Sequence, residues 1–160
     1  MDYYSFDHKI EKDDLEDFQY PNRKIGVIVH IVDETGKILL QQRGVKSRDE
    51  NGLYEDVGGR VEETDLDYNF AIIREMREEM GDEAQFQLSD SIGIYHLEKK
   101  NINWVFVIFY AKYLGGKIKI MEPDKCTDYK FFDYNEVIDS DLVSEGCKYL
   151  TRCIKKWHNY

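Results

Sequence analysis

The segment GGRVEETDLDYNFAIIREMREEMGDE, residues 58–83, decides how the chain around it folds. Between Asp67 and Met80 it contains no glycine or proline, and its apolar residues recur at steps of three and four. Gly81 follows directly, as a glycine often does at the end of a helix. The spacing therefore predicts a helix that ends at Gly81.

Carboxylates crowd one edge of this predicted helix. At about 100° per residue, Glu75, Glu78 and Glu79 fall within one sector, and the other side of the helix is apolar. Like charges four residues apart destabilise a helix by a few tenths of a kcal/mol, and a divalent cation reverses that effect. The cluster predicts a site for Mg²⁺ or Mn²⁺, with a solvated, salt-bridged helix face as the alternative.

Apolar strands precede and follow the helix. Residues 24–32 and 37–43 are strand-like and are separated by the turn DETG, which predicts a hairpin. Residues 102–114 are apolar on both faces, as expected of a central strand covered by helices on both sides. A glycine pair then leads into residues 117–121, whose alternation predicts a more exposed strand.

The last segment has the pattern of an amphipathic helix, with apolar residues at Val143, Cys147, Leu150, Ile154 and Trp157. Helices packed against a mixed β-sheet predict an α/β fold, an α/β/α sandwich. We expect one domain over residues 24–160. For residues 1–23 three roles stay open: a loose N-terminal arm, an extra edge element of the sheet, or a contact in a homodimer.

Composition excludes several classes of function. The 160 residues carry a formal net charge of −10 without a basic block, which argues against binding nucleic-acid polymers. No segment approaches the roughly 18 consecutive apolar residues of a membrane span, so we expect no membrane partner. The cysteines Cys126, Cys147 and Cys153 form no C-x-x-C pair, which is typical of free thiols in a reducing compartment, and we expect a cytoplasmic location.

Gly58 and Gly59 stand between the strand-like LYEDV and the predicted helix. A backbone without a Cβ atom can approach a ligand closely, so we expect a loop whose peptide groups reach a metal or a phosphate. An ordinary turn is the simpler alternative.

Residues 59–82 resemble the signature of the Nudix hydrolases, in the MutT-like form. That signature runs G, five residues, E, seven residues, then R-E-apolar-x-E-E-x-G-apolar. Residues 74–81, REMREEMG, match its second half, and Asp82 replaces the final apolar residue. In the first half, Asp65 stands where Glu is expected and eight residues separate it from Arg74. Asp65 and Asp67 both remain candidates for the partner of Arg74. LLQQRG, residues 39–44, and residues 51–65 also resemble the family, and the resemblance covers residues 24–150.

The resemblance implies a metal-dependent hydrolase of a small-molecule nucleotide. Glu75, Glu78 and Glu79, with the carbonyl of Gly58 or Gly59, would hold Mg²⁺ or Mn²⁺. The cation would activate a water that attacks phosphorus in line with the leaving phosphate. Arg74 would orient the catalytic carboxylate of Glu75.

Five further residues are candidates with simpler alternatives. Glu122 or Glu75 would be the general base, although Glu122 before a proline is also typical of a turn. Arg43 would contact phosphate, or is a surface residue. Base stacking would need an aromatic residue, and the candidates are Tyr54, Trp104 and Phe106, each also suited to a core.

The segment EPDKC, residues 122–126, is similar to one in members that cleave nucleoside triphosphates, oxidised ones included, to a monophosphate and pyrophosphate. Many members that cleave ADP-ribose carry a proline beyond the signature, and this chain has none between Pro21 and Pro123. We therefore expect a triphosphate substrate. The alternatives are hydrolysis of ADP-ribose or another nucleotide sugar, and a sensor that binds a nucleotide without cleaving it. Isopentenyl diphosphate isomerases share the fold but need a reactive cysteine and a histidine cluster.

Overall fold

The hairpin predicted from residues 24–43 organises the sheet. The computed structural model describes residues 1–45 and 51–160. Strand β2 (Arg23–Val32) is rich in β-branched residues and turns at Asp33–Gly36 into β3 (Ile38–Arg43). The Asp33 carboxylate accepts hydrogen bonds from the backbone N–H groups of Thr35 and Lys37, both at 2.9 Å, which fixes the turn.

Nine strands of the described residues form one mixed sheet. The strands after the hairpin are β4 (Tyr54–Glu55), β5 (Val57–Arg60), β6 (Gln85–Leu88), β7 (Gly93–Lys99), β8 (Ile102–Gly115) and β9 (Cys126–Phe132), and β1 (Asp2–Ser5) precedes it. β8 is central: it pairs in parallel with β2 and antiparallel with β6 and β7. β3 pairs with β9, and β5 pairs with β2.

Helices cover both faces of the sheet, which confirms the α/β/α sandwich. Helix α1 (Tyr68–Met80) packs its buried face on alternate residues of β2 and β8, such as Val27 and Val107. Helix α3 (Glu145–His158) packs on the opposite face, where Leu150 and Ile154 meet Ile108. The short helix α2 (Tyr134–Asp139) lies beside α3.

Residues 1–23 are built into the sheet and the core. β1 pairs antiparallel with β7 and adds an edge strand. A 3₁₀ helix (Lys12–Asp17) follows, and Ile10, Leu15 and Phe18 are buried in the cluster that also contains the apolar face of α1. The division of the chain into an arm and a domain from residue 24, and a role of the arm in a dimer, stay predictions.

Three predicted features of the helices and outer strands are wrong. Val143 lies before α3 and forms a bridge with Tyr54 instead of joining the helix. Residues 117–121 form no strand, because the N–H groups of Lys119 and Met121 bond to carbonyls at the C-terminal end of α1, those of Met80 (3.0 Å) and Glu79 (3.4 Å). Trp157 does not join the apolar stripe of α3 and is 57% exposed, because Ile154 is the last buried residue of that helix. Within the described residues, no helix has the length and apolarity needed to cross a membrane.

Candidate metal and phosphate site

Helix α1 begins and ends at the residues that the sequence indicates. The Asp67 carboxylate accepts a hydrogen bond from the N–H of Phe70 at 2.7 Å, which caps the first turn. Gly81 ends the helix with φ 82°, a value that glycine adopts without strain. Asp67 is therefore occupied as the helix cap, and it also pairs with Lys9 at 3.1 Å.

Asp65 is the partner of Arg74. Its two oxygens accept from Arg74 Nε and Nη2, both at 2.8 Å, in a bidentate pair. A turn between Glu62 and Asp65 places the shorter acid there, since the N–H of Glu62 donates to Asp65 Oδ2 at 2.8 Å. The bond from Arg74 holds the pKa of Asp65 below its usual range despite burial. The turn thus accommodates both departures from the family spacing.

Arg74 also orients two carboxylates of the predicted metal edge. Its Nη1 donates to Glu75 Oε1 at 2.9 Å and to Glu78 Oε2 at 3.2 Å, and Nη2 donates to the carbonyl of Arg60 at 3.1 Å. The Glu75 side chain is only 12% exposed, whereas that of Glu78 is 49% exposed. Burial raises the pKa of Glu75, and the Arg74 guanidinium opposes that rise.

Gly58 and Gly59 lie in strand β5, so the predicted loop is wrong. They pair with Ile28 and Val27 of β2. A Cβ atom on Gly59 would lie 2.3 Å from the carboxyl carbon of Glu75, and one on Gly58 would lie 2.3 Å from the carbonyl oxygen of Val27. Gly58 therefore requires glycine because the backbone of β2 approaches it closely, whereas a side chain at Gly59 would displace the Glu75 carboxylate. This contact places β5 directly against α1.

Glu79 is the unusual member of the carboxylate edge. Its Oε2 atom is buried and has no hydrogen-bond partner among the described residues. Burial raises its pKa well above the usual value, and the charges of Glu75 and Glu122 raise it further. Arg43 and the side chain of Gln41 act in the opposite direction. A buried carboxylate beside two others is costly unless a cation joins it.

The donor set fits a divalent cation. Carboxylate oxygens are the ligands preferred by Mg²⁺ and Mn²⁺, and the partnerless Oε2 of Glu79 offers one such atom. In residues 1–45 and 51–160, no three His, Cys, Asp or Glu side chains are already gathered as a ligand set. The bonds from Arg74 hold Glu75 and Glu78 toward the guanidinium. The assignment of Glu75, Glu78, Glu79 and Gly58 as metal ligands therefore stays a prediction.

Arg43 and Glu122 act in opposite directions on the pKa of Glu79: the charge of Glu122 raises it and that of Arg43 lowers it. Arg43 ends β3, and its Nε lies 3.6 Å from Glu55 Oε2. Glu122 Oε2 lies 3.2 Å from Nζ of Lys125, and the charges of Glu75 and Glu79 also raise the pKa of this lysine. Sequence reasoning missed Lys125, although a cation three residues after Glu122 in EPDKC was a visible signal.

The aromatic candidates for base stacking separate into two groups. Tyr54 is 7% exposed, packs in a core cluster and donates its hydroxyl to Asp128 at 2.6 Å, so its ring is not an open surface for a base. Trp104 and Phe106 are half-buried and stacked, with centroids 5.2 Å apart. Lys24 lies over the Trp104 ring at 5.8 Å.

A buried polar link lies behind β5, and the sequence analysis missed it. His30 Nδ1 lies 3.0 Å from Asp56 Oδ1, and the thiol of Cys147 donates to Asp56 Oδ2 at 3.4 Å. Asp56 separates β4 from β5, so the link joins β5 to β2 and α3. An acid inside an apolar strand pattern was the available signal.

The fold and the sequence both match known proteins. The sequence model of the NUDIX domain family matches residues 22–152. The chain belongs to the NUDIX domain family. A CTP pyrophosphohydrolase of Escherichia coli (strain K12) is 47% identical to this chain over 62 residues. That match covers 39% of this chain and 44% of the length of the relative.

Solved structures share the Nudix fold over most of the chain. The crystal structure of a MutT protein from Methanosarcina mazei Go1 aligns with a TM-score of 0.76 at 18% identity, covering 89% of this chain and 99% of that chain. A MutT NUDIX hydrolase from Burkholderia pseudomallei aligns with a TM-score of 0.66 at 22% identity, covering 81% and 96%. At these identities the likeness shows the fold alone.

Proposed function

We propose that this Nudix protein is a Mg²⁺- or Mn²⁺-dependent pyrophosphohydrolase that cleaves a nucleoside triphosphate to a nucleoside monophosphate and pyrophosphate. The observation that carries the proposal is the buried, partnerless Oε2 of Glu79 beside Glu75 and Glu122. A protein that only binds nucleotide has no need of a buried carboxylate whose repulsion by neighbouring acids a cation offsets. The local likeness to a CTP pyrophosphohydrolase supports the same class of reaction.

The carboxylates Glu75, Glu78 and Glu79, with the carbonyl of Gly58 or Gly59, would hold the cation. When bound, it neutralises phosphate charge and lowers the pKa of a coordinated water. Arg74 holds one oxygen of the Glu75 carboxylate through the bond at 2.9 Å, which limits the orientations that Glu75 adopts.

The hydrolysis breaks the bond between phosphorus and the oxygen of the leaving pyrophosphate. The oxygen of a water molecule forms the new bond to phosphorus, and a carboxylate of Glu75 or Glu122 accepts the proton of that water. Arg43 and Lys125 bring positive charge to the same place and suit contacts with the triphosphate. A metal-dependent reaction that leaves a monophosphate and pyrophosphate is the expected result.

We keep Trp104 and Phe106 as the candidates for stacking on the base, although α1 and its carboxylates lie on the other face of the sheet. Both rings are half-buried on the face of the sheet that is opposite α1, next to Gly26, where a Cβ atom would lie 2.6 Å from the Phe106 ring. Half-exposed stacked rings offer an apolar surface of about the size of a base. The Lys24 ammonium above Trp104 would face the same ligand.

The test is product analysis with a panel of substrates. CTP, the other common nucleoside triphosphates, oxidised nucleotides, dinucleoside polyphosphates and ADP-ribose are incubated with Mg²⁺ or Mn²⁺, and with EDTA as the control. Cleavage of a triphosphate to monophosphate and pyrophosphate, abolished by EDTA, is expected. Cleavage of ADP-ribose alone would show that the substrate is a nucleotide sugar and not a triphosphate. Nucleotide binding without any cleavage would show that the protein is a sensor and not an enzyme. The cytoplasmic location and a homodimer remain predictions.

A further inference from the structure

Two side chains from neighbouring strands meet beneath Glu79. Gln41 of β3 and Tyr129 of β9 are directly opposite each other in the sheet. The Tyr129 hydroxyl donates to the backbone carbonyl of Glu79 at 2.9 Å and lies 3.4 Å from Gln41 Oε1. The carbonyl of Glu79 is one of the last four of α1, which have no partner inside the helix. Tyr129 therefore ties the end of the helix to the sheet.

Gln41 is 3% exposed, and its side chain lies next to the Tyr129 hydroxyl that bonds the Glu79 carbonyl. Burial raises the pKa of Glu79, and the side chain of Gln41 lowers it. A buried amide is stabilised when its polar atoms have partners.

We propose that Gln41 and Tyr129 are positioning residues that hold the Glu79 carboxylate so that its Oε2 atom stays free to bind a divalent cation. The inference rests on the proposed function, because it needs the cation at Glu79. Groups that hydrogen-bond a metal ligand fix its orientation, and their loss commonly weakens metal binding by 10-fold to 100-fold. Tyr129 holds the backbone of the ligand residue and Gln41 holds its side chain.

A purely structural role makes a different prediction. If Tyr129 only anchors the end of α1, its removal lowers the free energy of unfolding but leaves the metal affinity of the folded protein unchanged. A matched control exists in Tyr113, whose hydroxyl also donates to a backbone carbonyl, that of Gly116, at the end of β8. Tyr113→Phe removes the same kind of bond at a distance from the carboxylate edge.

The experiment measures Mn²⁺ binding without nucleotide, by the electron paramagnetic resonance signal of free Mn²⁺, on the whole chain. Tyr129→Phe and Gln41→Met are each expected to raise the dissociation constant at least 10-fold, and Tyr113→Phe is expected to leave it within 2-fold. Since the two side chains act on one carboxylate, their effects should not be independent. The dissociation constant of the double variant is expected to rise by less than the product of the two single increases.

The outcomes separate the two proposals. Wild-type affinity in Tyr129→Phe, with a lowered free energy of unfolding, would overturn the positioning role and leave the proposed function standing. A wild-type protein that binds no Mn²⁺ would overturn the metal site itself and the positioning role with it. If Gln41→Met fails to fold, Tyr129→Phe decides the question alone, because it keeps the aromatic ring in place.

Discussion

At the scale of single residues, the site depends on which carboxylates have a hydrogen-bond partner in the protein. Arg74 satisfies Asp65 with two bonds at 2.8 Å and reaches Glu75 and Glu78, whereas Glu79 keeps an oxygen without a protein partner. One acid is thus stabilised by the fold, and another is left for a ligand. The pKa values follow this division, with that of Asp65 lowered and that of Glu79 raised.

We expect Asp65→Asn to destabilise the protein at neutral pH by about 2 kcal/mol, because it removes a charge-assisted, buried pair with Arg74. The folded pKa of Asp65 is lowered, so its contribution is present above the unfolded value of about 3.9 and is lost as pH falls through the folded value. Urea unfolding at pH 7 and at successively lower pH measures the difference from wild type, which should shrink below pH of about 4.

The exposed acid Asp82 provides the control. Asp82→Asn should change the free energy of unfolding little at any of these pH values. A difference between Asp65→Asn and wild type that stays constant down to acid pH would contradict the ionic nature of the pair.

We expect Glu79→Gln to lower turnover by about 10²-fold or more at saturating Mg²⁺, because it replaces the charged ligand oxygen that the fold leaves free. The melting temperature should stay the same or rise, since burying an unpaired carboxylate is costly. Pyrophosphate release and a thermal melt measure the two effects. Glu83→Gln, at an exposed pair with Lys119, is the matched control. Full activity of a metal-saturated Glu79→Gln variant would show that Glu79 is not a metal ligand.

At the scale of elements, α1 combines a packing face and a ligand edge. Met76 is 6% exposed and Met80 is fully buried, while Phe70 and Ile73 are 45% and 40% exposed. The helical period identifies the helix, but it does not identify which apolar residues face the sheet. Ala71 and Ile72 fill the core instead. The carboxylate edge is held against β5 because the helix cannot rotate without unpacking this face.

We expect Met76→Ala to cost about 2 to 5 kcal/mol of unfolding free energy, as large-to-small changes in a core do. Ile73→Ala, on the same helix but half-exposed, should cost about 1 kcal/mol. Chemical denaturation of both variants measures the contrast. Equal losses would mean that Ile73 packs as closely as Met76.

At the scale of the whole molecule, the first 23 residues complete the sandwich. β1 extends the sheet beyond β7, and the 3₁₀ helix inserts Leu15 into the cluster under α1. Arg23 ties this segment to β2 by donating to the carbonyls of Leu15 and Phe18, both at 2.9 Å. The match to the family model begins at residue 22, so these contacts are made by a part of the chain outside it.

We expect Leu15→Ala to lower the free energy of unfolding by about 2 to 5 kcal/mol, because Leu15 is 2% exposed. Urea denaturation of the variant measures this loss. An arm that only rests on the surface would change stability by less than about 0.5 kcal/mol. Leu142→Ala, at a 57% exposed leucine, is the control for a surface position.

The sequence by itself determined the sandwich, the bounds of α1 and the carboxylate edge, because these follow from local patterns: apolar, β-branched runs for the strands, a period of 3.6 for the helix, and glycine at its end. It also determined the family through REMREEMG. Tertiary structure decided which acid pairs with Arg74, that Gly58 and Gly59 lie in a strand, and that Tyr54 is buried. It also brought Gln41, Tyr129, Glu122 and Lys125 to Glu79. These outcomes depend on contacts between residues far apart in the chain, which no local pattern records.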